Sequence, residues 1–444
     1  MNAEKTDRKS DPKRIMAAGF FWNAVYAGLN AIQSALLLFA ISRTHDIGTA
    51  GMIPIGFTVA NLSAIMAWYG MRNFMVTDVN EQFRFSDYFL TKIFSTTGAL
   101  VLSFGYLAFM TLSGRYTPEK GLIILGIILL KVEGAVEELY VSRLQQKGRL
   151  DIGARIAAFR IGCSTMVMFA AIWVIPSLPV CLLLGIVTEI LVDVLMIPGG
   201  KKYADFSLGT LNKKAAVRLL QLGIPLFIGG ALHNYVGNGP KYLVDLYLTD
   251  GMQAVCGYVM MPMFVLSILN IFVMSPAVKG LGDAWNTDRE LFRKKVIRHI
   301  LLISVLTVIV LGTGLVIGLT VLSEMYNVDL QPYRKEFLIL MAGGGLFTIS
   351  SYMIVLLTTM RRQTGIVWGC VAATVVYVAL GGTISQRAGF TGACWLYIIA
   401  NAVMVCVYLL FLVRKGEHKN EHIAVSGETA ASDSRCEMDQ EGSD

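Results

Sequence analysis

Ionisable side chains set inside long apolar runs are the residues of this chain that could do chemistry. One such run, LIILGIILLKVEGAVEELYVSRLQQ from Leu122, holds Lys131, Glu133, Glu137 and Glu138. At helical pitch Glu133 and Glu137 fall one turn apart, while Lys131 and Glu138, seven apart, share another face. The following run carries Arg160, placed to pair with those acids, and the next, VTEILVDVL from Val187, sets Glu189 and Asp193 four apart on one face, close enough to its end to be hydrated. An ionisable group near a bilayer centre costs about 2.5–3.5 kcal/mol on insertion scales, so it faces a cavity, a partner or a ligand. Glu133, Glu137, Glu189 and Asp193 are therefore candidates for binding a coupling ion. The structural alternative is an ion-pair cluster buried between helices.

Two further stretches offer polar chemistry. In AWYGMRNFMVTD from Ala67, Arg72 and Asn73 stand at the mouth of a span beside Trp68 and Tyr69, where Arg72 could receive a phosphate or anchor the helix among headgroups. The stretch GIPLFIGGALHNYVGNGPKYLVDLYLTD from Gly223 crowds Pro225, paired glycines, His233, Asn234, Asn238, Pro240 and Lys241 together, and Pro262 and Pro276 extend the kinked character into the next span. Broken helices of this kind line transport pathways, because freed backbone groups need a wet or protein-lined cavity. His233 by itself reads as a core histidine satisfied by a neighbour.

The elements that must position these residues follow from composition. The chain has 444 residues, 55% hydrophobic and 16% charged, with a mean hydropathy of +0.59, far from the balance of a water-soluble domain. Apolar stretches of about twenty residues recur, the length an α-helix needs to cross a hydrocarbon core of about 30 Å. No ten-residue alternation suggests a β-barrel. The fold class expected is an all-α integral membrane protein of about twelve spans, at roughly 16–41, 49–70, 88–113, 121–142, 152–174, 177–198, 216–238, 252–277, 298–322, 336–359, 364–385 and 391–413. The connections sharing a side with the N-terminus are rich in Lys and Arg. The opposite connections hold only Arg43, Arg115, Lys120, Lys241, Arg334, Lys335 and Arg387, which places both termini in the cytoplasm.

The most polar internal connection, 199–215, leaves six spans on either side. The expected organisation is an N-lobe over 1–198, a cytoplasmic linker over 199–215, a C-lobe over 216–413 and a disordered, acidic, Ser-rich cytoplasmic tail over 414–444. SRTHDIGTAGMIPIGF from Ser42 and LYLTDGMQAVCGYVMMPMF from Leu246 both lead from the first helix of a lobe into its second. Six cysteines lie in or at the ends of apolar runs without CxxC spacing and read as small core hydrophobes, and Cys436 falls in the tail with His418 and His422. No GxxxxGK[ST] loop and no HExxH occurs, so neither nucleotide hydrolysis by a phosphate loop nor a zinc-peptidase site is encoded. No catalytic residue, metal or cofactor is expected.

With that layout in place, three stretches are similar to one family: FFWNAVYAGLNAIQSALLLFAISRTHDIGTAGMIPIGF from Phe20, YGMRNFMVTDV from Tyr69 and LQQKGRLDIGARIAAFR from Leu144. Over nearly its whole length the chain resembles the multidrug/oligosaccharidyl-lipid/polysaccharide exporter superfamily, and within it the Wzx-like polysaccharide flippases. The resemblance implies two V-shaped lobes around a central cationic cavity that opens alternately to each face of a bacterial cytoplasmic membrane. The implied cargo is an undecaprenyl-diphosphate-linked oligosaccharide for capsule, lipopolysaccharide O-antigen or another surface polysaccharide. Polysaccharide polymerase and glycosyltransferases are implied as partners beside membrane lipid, and nucleic acid is not. On this reading Arg72, Lys131, Arg160 and Lys241 meet the diphosphate, and Asn23, Gln33, Asn234 and Asn238 hydrogen-bond sugars, with Trp22, Tyr26 and Tyr235 available to stack on rings.

Three rivals remain open on sequence. A cation-coupled drug or organic-cation exporter of the same superfamily would use the four acids for cargo or ion. A membrane enzyme of polysaccharide assembly would use a carboxylate as general base. A non-transporting scaffold would leave lipid-linked sugars where they are made. The driving force, whether proton, sodium ion or membrane potential, is equally open.

Overall fold

The computed structural model describes residues 12–78, 81–263, 266, 281, 284–285 and 287–413. The tail over 414–444, with His418, His422 and Cys436, and Pro276 lie outside the described residues, as does most of the second half of the expected eighth span. Every described element is helical: α1 (Pro12–Thr44), α2 (Ile47–Trp68), α3 (Met71–Thr77), α4 (Phe85–Leu112), α5 (Pro118–Gln146), α6 (Leu150–Val174), α7 (Leu178–Gly200), α8 (Lys213–Gly237), α9 (Gly239–Tyr247), α10 (Asp250–Val259), α11 (Arg289–Thr313), α12 (Leu319–Tyr326), α13 (Arg334–Thr359) and α14 (Gln363–Val413), with a π turn at Gly314–Gly318 and a 3-10 turn at Gln331–Tyr333.

Local chemistry sets the boundaries. Asp46 caps α2 by accepting from the Thr49 N–H at 3.1 Å, and Thr117 caps α5 with Pro118 in the first turn. The second span breaks at Tyr69 and Gly70, both left-handed with φ of 52° and 68°, and resumes as α3. Lys92 and Ser95 of α4 donate to carbonyls freed at that break, Lys92 to Trp68 at 3.2 Å and Ser95 to Ala67 at 2.8 Å. Within α14, Gly389 (φ 58°, ψ −141°) reverses the chain. The Cys370 thiol consequently meets the Tyr408 hydroxyl at 3.2 Å, so α14 is two antiparallel spans.

Among the described residues, nine helical segments are long and apolar enough to cross a bilayer. The difference from twelve has physical causes. α5 carries Lys131, Glu133, Glu137 and Glu138 within its span and so lacks an unbroken apolar run, α14 holds two spans, and the eighth span starts at α10 and leaves the described residues. Large apolar side chains face outward along the helices, among them Leu102 and Phe109 of α4, Leu195 of α7 and Val308 of α11. In water so much exposed apolar surface would aggregate; around a helix bundle of this length it is the lipid-facing belt of a multi-pass membrane protein.

In the first half α1 packs on α6, α2 on α5 and α6 on α7; in the second, α13 packs on α14 and α14 on α8. The two six-helix halves meet chiefly where α2 runs against α10 and α4 against α8, with a cavity between them. The seventh span differs from expectation: α8 passes through Pro225 unbroken, stops at Asn238, and Pro240 in the first turn of α9 restarts it. Lys241, expected in an external loop, is therefore on a helix inside the protein.

Candidate functional site

The cavity between the halves has a volume of about 280 Å³ and is lined by Asn30, Ser34, Phe57, Thr58, Asn61 and Lys131 from one half and by Asn234, Asn238, Lys241 and Met261 from the other. Lys131 stands midway along α5, about 20 Å from either end at 1.5 Å per residue, so the cavity is deep in the membrane. Its ammonium donates to Asn30 Oδ1 at 2.9 Å and Gln33 Oε1 at 2.7 Å and lies 5.4 Å from the Phe57 ring centre. Gln33 is itself held by donating to the Thr165 hydroxyl at 3.1 Å. Lys241 donates to Asn238 Oδ1 at 3.3 Å. Among the described residues neither ammonium has a carboxylate within ion-pairing distance and no acid lines the cavity. The buried Asn234 Oδ1 has no partner. Each ammonium carries three N–H donors, so both retain unused ones.

A separate ionic cluster lies between α5, α6 and α7. Arg160 Nε donates to Glu137 at 2.9 Å, and its Nη1 donates to Glu133 at 2.8 Å and Glu189 at 2.6 Å. Gly134 makes room for the guanidinium, since a Cβ there would stand 2.8 Å from Nη2. Asp193 is buried alongside, with Oδ1 unpartnered, as is Oε1 of Glu137. The expectation that Glu189 and Asp193 are hydrated fails because α7 turns this face into the bundle rather than toward water.

A smaller chamber of about 120 Å³ adjoins the cluster through Glu137 and is lined by Asn23, Tyr26, Trp68, Arg72 and Glu138. Arg72 donates from Nε and Nη2 to Gln145 Oε1 at 3.0 and 2.8 Å. Glu138 takes an ion pair from Lys92 at 2.8 Å, not from Lys131.

The expected substrate residues thus divide. Lys131, Lys241, Asn234 and Asn238 converge on the central cavity, while Arg72 and Asn23 share the second chamber. Gln33 is 1% exposed and buttresses Lys131 instead of facing sugars. Arg160 lines neither space and has its guanidinium taken up by three carboxylates. Of the aromatics, Trp22 packs against Phe159 and Tyr235 against Tyr242. His233 does find a neighbour, the Ser351 hydroxyl at 3.2 Å, though its Nδ1 is unpartnered. Sequence reasoning missed Asn30 and Asn61 in the cavity and Lys92 beside Glu138. A signal existed for two of them: Asn30 lies three residues before Gln33 on α1, and Lys92 interrupts an apolar run just as Lys131 does.

No protein-family model matches this sequence, and no curated protein matches it. Solved structures do. Lipid II flippase MurJ in an inward closed conformation superposes with a TM-score of 0.63 at 13% identity, over 90% of this chain and 87% of that one. A multidrug resistance MATE family transporter of the MOP superfamily, in its inward-facing conformation, gives 0.61 at 11% identity over 86% and 94%. The eukaryotic MATE transporter AtDTX14 gives 0.62 at 12% identity over 91% and 96%. At these identities the likeness shows the fold alone, one shared with those three structures.

Proposed function

We propose that this chain is a flippase of the Wzx-like kind, carrying an undecaprenyl-diphosphate-linked oligosaccharide across the bacterial cytoplasmic membrane by alternating access, for cell-surface polysaccharide assembly. The observation that carries the reading is the central cavity, which among the described residues is lined by one lysine from each half, four asparagines and no acid. A diphosphate needs positive charge and sugars need hydrogen-bonding groups, both inside a membrane that offers neither. Lys131 and Lys241 would grip the diphosphate while Asn30, Asn61, Asn234 and Asn238 meet sugar hydroxyls. The lobes would be 1–198 and 216–413, joined by 199–215, with both termini cytoplasmic. Taking Lys120 and Lys241 out of the external loops, as their burial in helices requires, sharpens the charge asymmetry on which that orientation rests. Polysaccharide polymerase and glycosyltransferases would work beside it.

A second reading, a cation-coupled exporter of organic cations, is favoured by the Arg160 cluster. Four carboxyls against one guanidinium is a surplus that a proton or alkali cation would neutralise. The test is translocation of a labelled diphosphate-linked oligosaccharide in proteoliposomes. Flipping by the wild type that is lost in folded Lys131→Ala and Lys241→Ala variants supports the first reading. Export of organic cations, with no flipping of any lipid-linked glycan, overturns it in favour of the second.

A further inference from the structure

At the end of the bundle where α1 gives way to α2, charges from the two halves are locked together. Lys120, in the first turn of α5, holds Asp245 of α9 at 2.7 Å and Asp250, the first residue of α10, at 2.6 Å. The Tyr116 hydroxyl donates to the other Asp245 oxygen at 2.6 Å and meets the Tyr106 hydroxyl at 3.1 Å, and the Lys120 ammonium lies 4.4 Å from the Tyr116 ring centre. The Lys120 and Asp245 side chains are 5% and 1% exposed, whereas Asp250 is 36% exposed at the rim. Sequence reading assigned Lys120 to an external loop; docking of α9 and α10 buries it.

Directly beneath, the halves touch with glycines at the contact, Gly51 against backbone and Gly257 against the Pro54 ring. A Cβ on Gly51 of α2 would stand 1.8 Å from the Asp250 carbonyl oxygen, and one on Gly257 would stand 2.3 Å from Pro54. The Ser42 and Tyr258 hydroxyls bond across the same seam at 2.7 Å. Nothing the size of a sugar passes between surfaces in such contact.

We infer that Lys120, Asp245 and Asp250 form an ion-pair latch that seals this end of the path to the Lys131–Lys241 cavity and must break for the cavity to open there. The inference rests on the alternating-access reading. The latch has two low-energy states: engaged and dry, or parted with both charges hydrated. A half-open state would strand one buried charge without a partner, which is the costly case, so the pair favours all-or-none opening. Its stoichiometry ranks the variants. Loss of Lys120 leaves both carboxylates on the second half with no base opposite them, Asp245 buried and Asp250 at the rim. Loss of the Asp245 charge still leaves Lys120 with Asp250, and loss of the Asp250 charge leaves the buried Lys120–Asp245 pair intact with Tyr116 in place.

The test places a single reporter, Ser34→Cys in the cavity wall, in a chain whose other cysteines are replaced, and applies a membrane-impermeant thiol reagent from the latch side of proteoliposomes. Lys120→Met should raise the labelling rate by about tenfold or more, the response to a bias of about 1.4 kcal/mol toward the open state. Asp245→Asn should have a smaller effect and Asp250→Asn the least, and exchanging the charges as Lys120→Asp with Asp245→Lys should restore slow labelling. If Lys120→Met fails to fold, the order of the two aspartate variants decides. Unchanged labelling in the folded variants, or Asp250→Asn exceeding Asp245→Asn, overturns the latch. Labelling reads opening without cargo, so a latch that behaves as expected beside failed glycan flipping would refute the cargo alone.

Discussion

Replacing Arg160 with methionine removes the base that the buried Glu137 and Glu189 share with the partly buried Glu133. The guanidinium makes three charge-assisted bonds of 2.6–2.9 Å, to Glu133, Glu137 and Glu189. Breaking a buried ion pair from one side costs about 3–5 kcal/mol, because the stranded charge has no compensation. Neutralising one acid is different. Glu189→Gln gives up a charge-assisted bond worth about 1.5–3 kcal/mol. It also relieves repulsion from Glu133: two oxygens sharing one nitrogen lie within roughly 5.5 Å, where like charges repel by about 3 kcal/mol at an effective dielectric of about 20. The two effects nearly cancel. Purified in detergent and followed by thermal unfolding monitored on size exclusion, Glu137→Gln and Glu189→Gln should stay within about 1 kcal/mol of wild type, while Arg160→Met loses at least about 3 kcal/mol. A Glu189→Gln variant as unstable as Arg160→Met would show that the acids do not repel one another and refute the reasoning.

Asp46→Ala should destabilise by about 1 kcal/mol at pH 7 through loss of the α2 cap. The Asp46 carboxyl is held below its usual range by the Thr49 hydroxyl first and the Thr49 N–H second, so its contribution is present above the unfolded-state value and lost as pH falls through the lowered one; the melting gap between variant and wild type should shrink from pH 7 toward pH 3, and a constant gap would contradict this. Cysteine labelling probes the packing: Cys163 and Cys406 are exposed and Cys181, Cys256, Cys370 and Cys394 buried, so N-ethylmaleimide should modify the first two in the folded protein and the other four only after unfolding. Early modification of Cys256 or Cys370, read by mass spectrometry, would contradict the described packing.

The spans were legible because a bilayer demands about twenty apolar residues in a row, and even the Gly389 reversal falls between the eleventh and twelfth expected helices. The Arg160 cluster was legible in part because four-residue spacing puts Glu133 and Glu137 on one face. What spacing could not show is depth. Lys131 and Glu138 share a face but sit about 10 Å apart along the axis at 1.5 Å per residue, and so meet different neighbours: Asn30 and Gln33 at the centre, Lys92 nearer the end. Lys241 was misplaced for another reason. Asn238-Gly239-Pro240 has the composition of a turn, yet proline suits the first turn of a helix as well as a loop, and packing against α14 decides for the helix.

The short helix α9 gives that misplaced lysine its consequence. It runs only nine residues, from Gly239 to Tyr247, and carries Lys241 and Asp245 four residues apart. One turn of helix therefore separates a cation lining the central cavity from the most deeply buried acid of the latch. A helix this short has no kink-forming residue between the two positions, so a shift that carries Lys241 toward an anion carries Asp245 with it. The first half supplies fixed partners for both. Lys131 is pinned by Asn30 and Gln33 on one side of the cavity, and Lys120 is set in the first turn of the same helix, α5. On the flippase reading, a diphosphate gripped by Lys131 and Lys241 and a latch closed by Lys120 and Asp245 would be two cross-links between the same pair of helices, α5 and α9. On the flippase reading, a cargo that strengthens the inner link changes the spacing at which the outer one can hold, which is how binding in the cavity would be felt at the gate.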